Sequence, residues 1–202
     1  MKPHPKRFPA IERRKQVLRC AVRVFARSNY RAAGVADIAR EAGISEAALY
    51  KYFPSKKSMF LEILERMSRR IIQLWKEAVS QKQCVPDILH NMGMTYYCRM
   101  IQHPDELKIH FQAVSEIDDP DIRERLRKDH QDYVEFIGSV LQKGIQEGSI
   151  RKDLSLEETA WLFNGFGILM NMVKLLSFDR LFNEKGIGRM LDHLIDSVRV
   201  RD

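Results

Sequence analysis

The chain has 202 residues, 45% of them hydrophobic, which suffices for one large domain or two small ones with a true core and excludes a disordered chain. No apolar run approaches the ~20 residues of a membrane span, and the basic start MKPHPKRFPAIERRK lacks the apolar stretch of a secretory signal, so a cytoplasmic protein is expected. The formal charge is +7 and one-ended: residues 1–57 hold 14 Lys and Arg against 4 Asp and Glu, while the rest hold 20 against 23. A basic end of this kind points to a polyanion partner, either nucleic acid or an anionic membrane.

Almost every segment has the 3.6-residue apolar period of a helix, and no window sustains strand alternation. The first helix is expected from about Ile11 to Ser28, with Leu18, Ala21, Val22 and Phe25 on its apolar stripe. A short second helix, Val35 to Ala42, ends at Gly43, and Ser45 caps a third, Glu46 to Phe53. Pro54 and Ser55 then open a long helix from Lys56 to about Gln81. Further helices are expected at 86–102 and 105–117 and, behind the Asp119-Pro120 start signal, from 120 to Gly148 as one helix or an abutting pair. Ser155 and Glu158 read as a capping box before a nearly all-apolar helix to Leu176, and a last helix covers 187–198. The expected fold is all-α, with nine or ten helices. Residues 1–55 would form an arm and a helix-turn-helix domain, and residues 56–202 a larger helical domain.

The short helix, glycine turn and short helix at 35–53 follow a helix-turn-helix plan. Val35, Ile38, Ala39, Ile44 and Leu49 fall inward, with Ala39 small where the helices cross. Leu49 and Phe53, four apart, anchor the third helix. Its outward residues are small or polar at the N-terminal end, which suits entry into a major groove, and aromatic or basic at the other, which suits phosphate.

The segment VADIAREAGISEAALYKYFPSKKSMFLEIL resembles the DNA-binding signature of the TetR family of bacterial transcription regulators. The residues that carry the resemblance are Ile38-Ala39, Ala42-Gly43-Ile44-Ser45, Leu49-Tyr50-Lys51-Tyr52-Phe53 and Ser55-Lys56, within a match over about 11–64. The resemblance implies that Ser45, Glu46 and Ala47, with Ala36 beside them, face the bases, and that Tyr50, Tyr52 and Lys56 hold phosphates. Lys51 could reach either. Where the family has Thr or Ser before the second helix this chain has Ala33-Gly34, which leaves the backbone N–H groups of Gly34 and Val35, with Arg31 or an N-terminal lysine, to supply that attraction.

The resemblance implies that the remaining helices, residues 56–202, form an effector-binding and dimerisation domain that pairs two chains and holds a small effector. The apolar helix 156–176 is too hydrophobic to be covered on one side, so Trp161, Gly165, Ile168, Leu169 and Met172, with Phe136 and Val140, are expected at a dimer interface. Met67, Ile71 and Trp75 on the long helix are expected to line a pocket for a mostly apolar effector. Met92, Tyr96 and Met100 would join them from the next helix, Phe111 from the one after, and Phe163, Phe166 and Met170 from the apolar helix. Cys20, Cys84 and Cys98 share no metal spacing, the histidines form no HxxxH pair, and no nucleophile or carboxylate pair stands in a catalytic setting, so no cofactor, metal or enzymatic activity is expected. The expected function is that of a homodimeric repressor, released from a palindromic double-stranded DNA operator by its effector, with no membrane partner. The alternatives are an effector-independent nucleoid or division factor, and a helical ligand carrier whose basic end meets a membrane.

Overall fold

The computed structural model describes residues 10–80, 84–178, 180 and 182–200. The basic arm ahead of Ala10 therefore lies outside the described residues. Among those described there are nine helices and no strand beyond one isolated bridge, Ile150 to Arg199.

Helices α1 (Ala10–Ser28), α2 (Val35–Ala42) and α3 (Glu46–Tyr50) form the head. Asn29 takes a left-handed φ of 63° and ends α1. Gly43, at φ 66°, ends α2, where its own N–H and that of Ile44 return to the carbonyls of Arg40 and Ala39. Ser45 caps α3 by accepting from the Ala48 N–H at 3.2 Å. Helix α3 is shorter than expected: it gives way to a turn at Lys51 and Tyr52, and Phe53 follows as a buried anchor rather than as part of the helix.

The long α4 (Lys56–Val79) opens with a capping box in which Ser55 and Ser58 satisfy each other's N–H groups. Its first half belongs to the head. Met59, Phe60, Ile63 and Leu64 join Val24, Phe25, Ile38, Leu49 and Phe53 in one core, which also takes Ile109 and Ile122 from the helices that follow. A division of the chain at residue 55 thus meets the start of α4, while the head's interior continues into the helices below it.

The body comprises the rest of α4 with α5 (Val85–Gln102), α6 (Pro104–Ser115), α7 (Pro120–Gln146), α8 (Leu156–Leu175) and α9 (Glu184–Asp196). Helix α7 is one continuous helix, capped by Asp119, which accepts from the N–H groups of Asp121 and Ile122. Helices α7 and α8 pack together, and α9 packs on α5. Two start signals differ from expectation. Ser155 makes no side-chain cap bond; the hydroxyl of Thr159 instead donates to the Ser155 carbonyl at 2.7 Å, so there is no capping box at α8. Helix α9 begins three residues early because Asn183 accepts from the Gly186 N–H.

Candidate nucleic-acid interface and effector cavity

Ala36, Ser45, Glu46, Ala47, Tyr50 and Lys51 all lie exposed on one end of the head, while Ile38, Ala39, Leu49 and Phe53 beneath them are buried. Anchoring by buried apolar residues and exposure of the small, polar and tyrosyl ones is what lets a short helix enter a groove without losing its own packing. Ser45 already uses its hydroxyl as the helix cap. Tyr52 is half-buried against the head core, so only Tyr50 and Lys51 of the Tyr-Lys-Tyr run stand clear. Gly34 precedes α2 with no side-chain cap, and the N–H groups of the first turn around Val35 are not covered by any hydroxyl.

Two basic residues are engaged elsewhere. The Lys56 ammonium donates to the carbonyls of Tyr30, Arg31 and Ala33 at 2.7, 3.1 and 3.0 Å and lies 4.8 Å from the centre of the Tyr30 ring. All three of its N–H donors are used, and burial lowers its pKa. The structure therefore gives Lys56 the role of pinning the α1–α2 connection to α4, in place of the phosphate contact expected from the sequence. Arg31 is held by both oxygens of Glu116 at 2.8 and 2.9 Å, so it does not replace the hydroxyls missing at Ala33-Gly34. Lys57, next along, reaches Asp119 and Asp121, and these bonds raise its pKa to about 12. Together Arg31 and Lys57 tie the head to the α6–α7 corner.

Below the head lies a cavity of about 110 Å³, well above the ~10–15 Å³ that one ordered water requires. Nine of the ten residues expected around a pocket converge on it: Met67, Ile71 and Trp75 from α4, Met92, Tyr96 and Met100 from α5, and Phe163, Phe166 and Met170 from α8. Phe111 does not. It lies in a separate cleft beside Tyr30, Gln112 and Leu175, at the edge of the α6 face that gives Leu107 and His110 to the cavity.

The sequence reading missed the polar part of this lining. Tyr96 donates to Asn171 Oδ1 at 2.8 Å, and burial pushes its pKa up to about 12. Asn164 meets His130 Nδ1 at 3.2–3.3 Å, and the rings of His130 and His110 are 5.7 Å apart. Burial, with His130 beside it, lowers the pKa of His110 to about 4. Arg99 is joined to Glu106, and Asp129 to Arg125. The signal for these partners was faint, since Asn164 and Asn171 sit at two α-helical turns' spacing within an otherwise apolar stretch.

On the outer side of α8, Trp161, Gly165, Ile168 and Met172 are exposed, and Leu169 is half-buried. Space beyond Gly165 is open. Leu162, 65% exposed, and Leu176 and Phe178 extend the same apolar surface and were not anticipated. Val140 does not belong to it: at 2% exposure it is a core residue of α7, turned inward by the same packing that joins α7 to α8. Phe136 is half-buried, 5.9 Å from the Trp75 ring.

A helix-turn-helix head is thus mounted on a helical body that encloses a cavity. Residues 17–63 match the family model of bacterial regulatory proteins of the tetR family. The HTH-type transcriptional repressor KstR2 of Rhodococcus jostii is 29% identical over 157 residues, 74% of this chain and 77% of that one. The fatty acid metabolism regulator protein of Bacillus subtilis is 22% identical over 141 residues, 70% and 72% of the two chains. Among solved structures, FadR of Bacillus subtilis in complex with stearoyl-CoA superimposes with a TM-score of 0.80 at 17% identity, covering 91% of this chain and 98% of that one. The chain is thus similar to the bacterial regulatory proteins of the tetR family over residues 17–63 of its head, and it shares the fold of a transcriptional regulator over the rest.

Proposed function

We propose that this chain is a homodimeric repressor that acts by binding and not by catalysis, in the cytoplasm, and that leaves a palindromic operator when a small, mostly apolar effector enters the cavity. Two copies would pair through the exposed apolar surface of α8, so that two α3 helices reach half-sites about one turn, ~34 Å, apart. Ala36, Glu46 and Ala47 would read bases beside Ser45, and Tyr50, Lys51, Tyr52 and the Gly34–Val35 backbone would hold phosphates.

The observation that carries the reading is the double membership of α4. Met59, Phe60 and Ile63 are packed in the head, while Met67, Ile71 and Trp75 line the cavity two turns further on. A ligand that spreads the cavity must act on the helix that supports the head, and α8 lines the cavity and carries the proposed pairing face on its other side. A ligand that favours the DNA-incompetent spacing releases the operator in proportion to its differential affinity. Support for a repressor comes from the named role of KstR2, and support for an apolar effector from the named role of the fatty acid regulator and the stearoyl-CoA bound by FadR. No described helix is long and apolar enough to cross a membrane.

The reading is tested by a thermal-shift screen of small apolar molecules, followed by DNA titration with each stabilising compound. A compound that weakens DNA binding by about 5- to 150-fold, the usual range of allosteric coupling, supports it. Compounds that stabilise the protein and leave DNA affinity unchanged would overturn the effector role.

A further inference from the structure

The charges that line the cavity are matched within the protein. Arg99 is joined to Glu106 across the α5–α6 corner, and Asp129 to Arg125 one turn earlier on α7. Among the described lining residues Arg99 is the one Lys or Arg, so no permanent cation is left to neutralise an anionic ligand. An acid group carried into this space would lose its hydration without gaining a counter-charge.

What remains on offer includes a pair of imidazoles. His110 and His130 stand with their rings 5.7 Å apart on facing helices. The Asn164 amide occupies Nδ1 of His130, which leaves Nε2 as that ring's second hydrogen-bonding atom. His110 stays uncharged at neutral pH because burial and the neighbouring His130 depress its pKa to about 4, and a neutral imidazole both donates and accepts. Around this pair the wall is Met67, Ile71, Met100, Leu107, Phe163 and Met170. A site of this type fixes orientation with a few polar groups and takes its affinity from apolar contact.

We propose that the cavity selects an uncharged amphipathic molecule, an apolar body bearing one hydroxyl or carbonyl group that hydrogen-bonds to His110 and His130. The proposal rests on the cavity being the effector site and narrows the chemistry of its ligand. It separates two classes that an apolar lining alone would admit: carboxylic acids and their charged derivatives on one side, alcohols, ketones and esters on the other.

The test is calorimetric titration of the full chain at pH 7.5 with octan-1-ol, octan-2-one and sodium octanoate, which share chain length and differ at the polar end. The alcohol and ketone bind at least about tenfold tighter than octanoate, one net hydrogen bond against one unpaired charge. His110→Leu lowers the affinity for the alcohol about tenfold, and His110→Gln, which restores a neutral donor and acceptor, retains most of it. Octanoate binding as tightly as the alcohol overturns the proposal while leaving the cavity as the effector site. Binding of none of the three overturns the effector site and the proposal with it. The comparison of alcohol with octanoate needs no variant, so a misfolded His110→Leu does not protect the idea.

Discussion

The head and the body differ in what fills their interiors. Around α1–α4 the space is closed by Phe25, Phe53 and Phe60 with Ile38, Leu49 and Met59, all essentially inaccessible to solvent, and Phe25, Tyr30 and Phe60 stack at 4.3–5.8 Å. In the body, α4, α5, α6, α7 and α8 stop short of one another and leave a cavity bordered by polar groups. A part that must present one recognition helix in one orientation is filled to its centre. A part proposed to respond to a ligand keeps space and loses packing.

That contrast can be broken first at the proposed pairing face. Leu162→Glu with Met172→Glu puts two charges on the exposed apolar surface of α8. It should convert the proposed dimer to a monomer in light scattering and lower operator affinity on the order of a hundredfold or more, as expected when one of two half-site contacts is lost. An unchanged dimer would move the interface elsewhere. Next, Phe60→Ala should cost about 3–5 kcal/mol in chemical denaturation, since the surrounding rings cannot close the hole. Phe163→Ala, on the cavity wall, should cost less than half of that. Equal costs would show that the head and body are packed to the same tolerance.

The third effect is pH. His110 has a folded pKa of about 4, below its ordinary 6.5. As pH falls the unfolded chain takes up this proton first, so the contribution is complete above pH ~6.5 and drains away between about 6.5 and 4, in all roughly 3 kcal/mol. His110→Gln should flatten that part of the stability profile, and a profile identical to wild type would refute the assignment. Smaller still, Lys56→Met removes three bonds to backbone carbonyls and should cost about 1–3 kcal/mol, with the loss of DNA affinity following from the loosened head. A large loss of DNA affinity at unchanged stability would return Lys56 to the phosphate-binding set. Ser45→Ala, which deletes the cap of α3, should cost about 1 kcal/mol by melting.

The same contrast explains how much was legible beforehand. The head could be read almost residue by residue because each of its signals is local: Gly43 at a left-handed turn, Ser45 at a cap, Leu49 and Phe53 at anchoring spacing. Lys56 escaped because its partners, the carbonyls of residues 30, 31 and 33, lie more than twenty positions away and carry no side-chain signature. In the body, helical periodicity placed the helices, and the large methionine and aromatic side chains named the cavity wall. Periodicity does not tell which face of a helix meets a partner helix, so Val140 was set on the outside and Phe111 in the cavity. The Ser155–Glu158 spacing looked like a capping box, yet the Thr159 hydroxyl takes the Ser155 carbonyl and the Ser155 side chain caps nothing. The His110–His130–Asn164 group joins α6, α7 and α8, and no local pattern announces a site assembled from three helices.

The central claim, sequence-specific DNA binding through α3, is tested most directly by fluorescence-anisotropy titration of the full chain with a duplex from upstream of its own gene and with a scrambled duplex, at 150 mM salt. A preference of about a thousandfold or more for the upstream duplex is expected, lost in Ala47→Glu, which places a second acid on the exposed face of α3 while the melting temperature stays unchanged. Equal affinity for both duplexes, indifferent to Ala47→Glu, would contradict it.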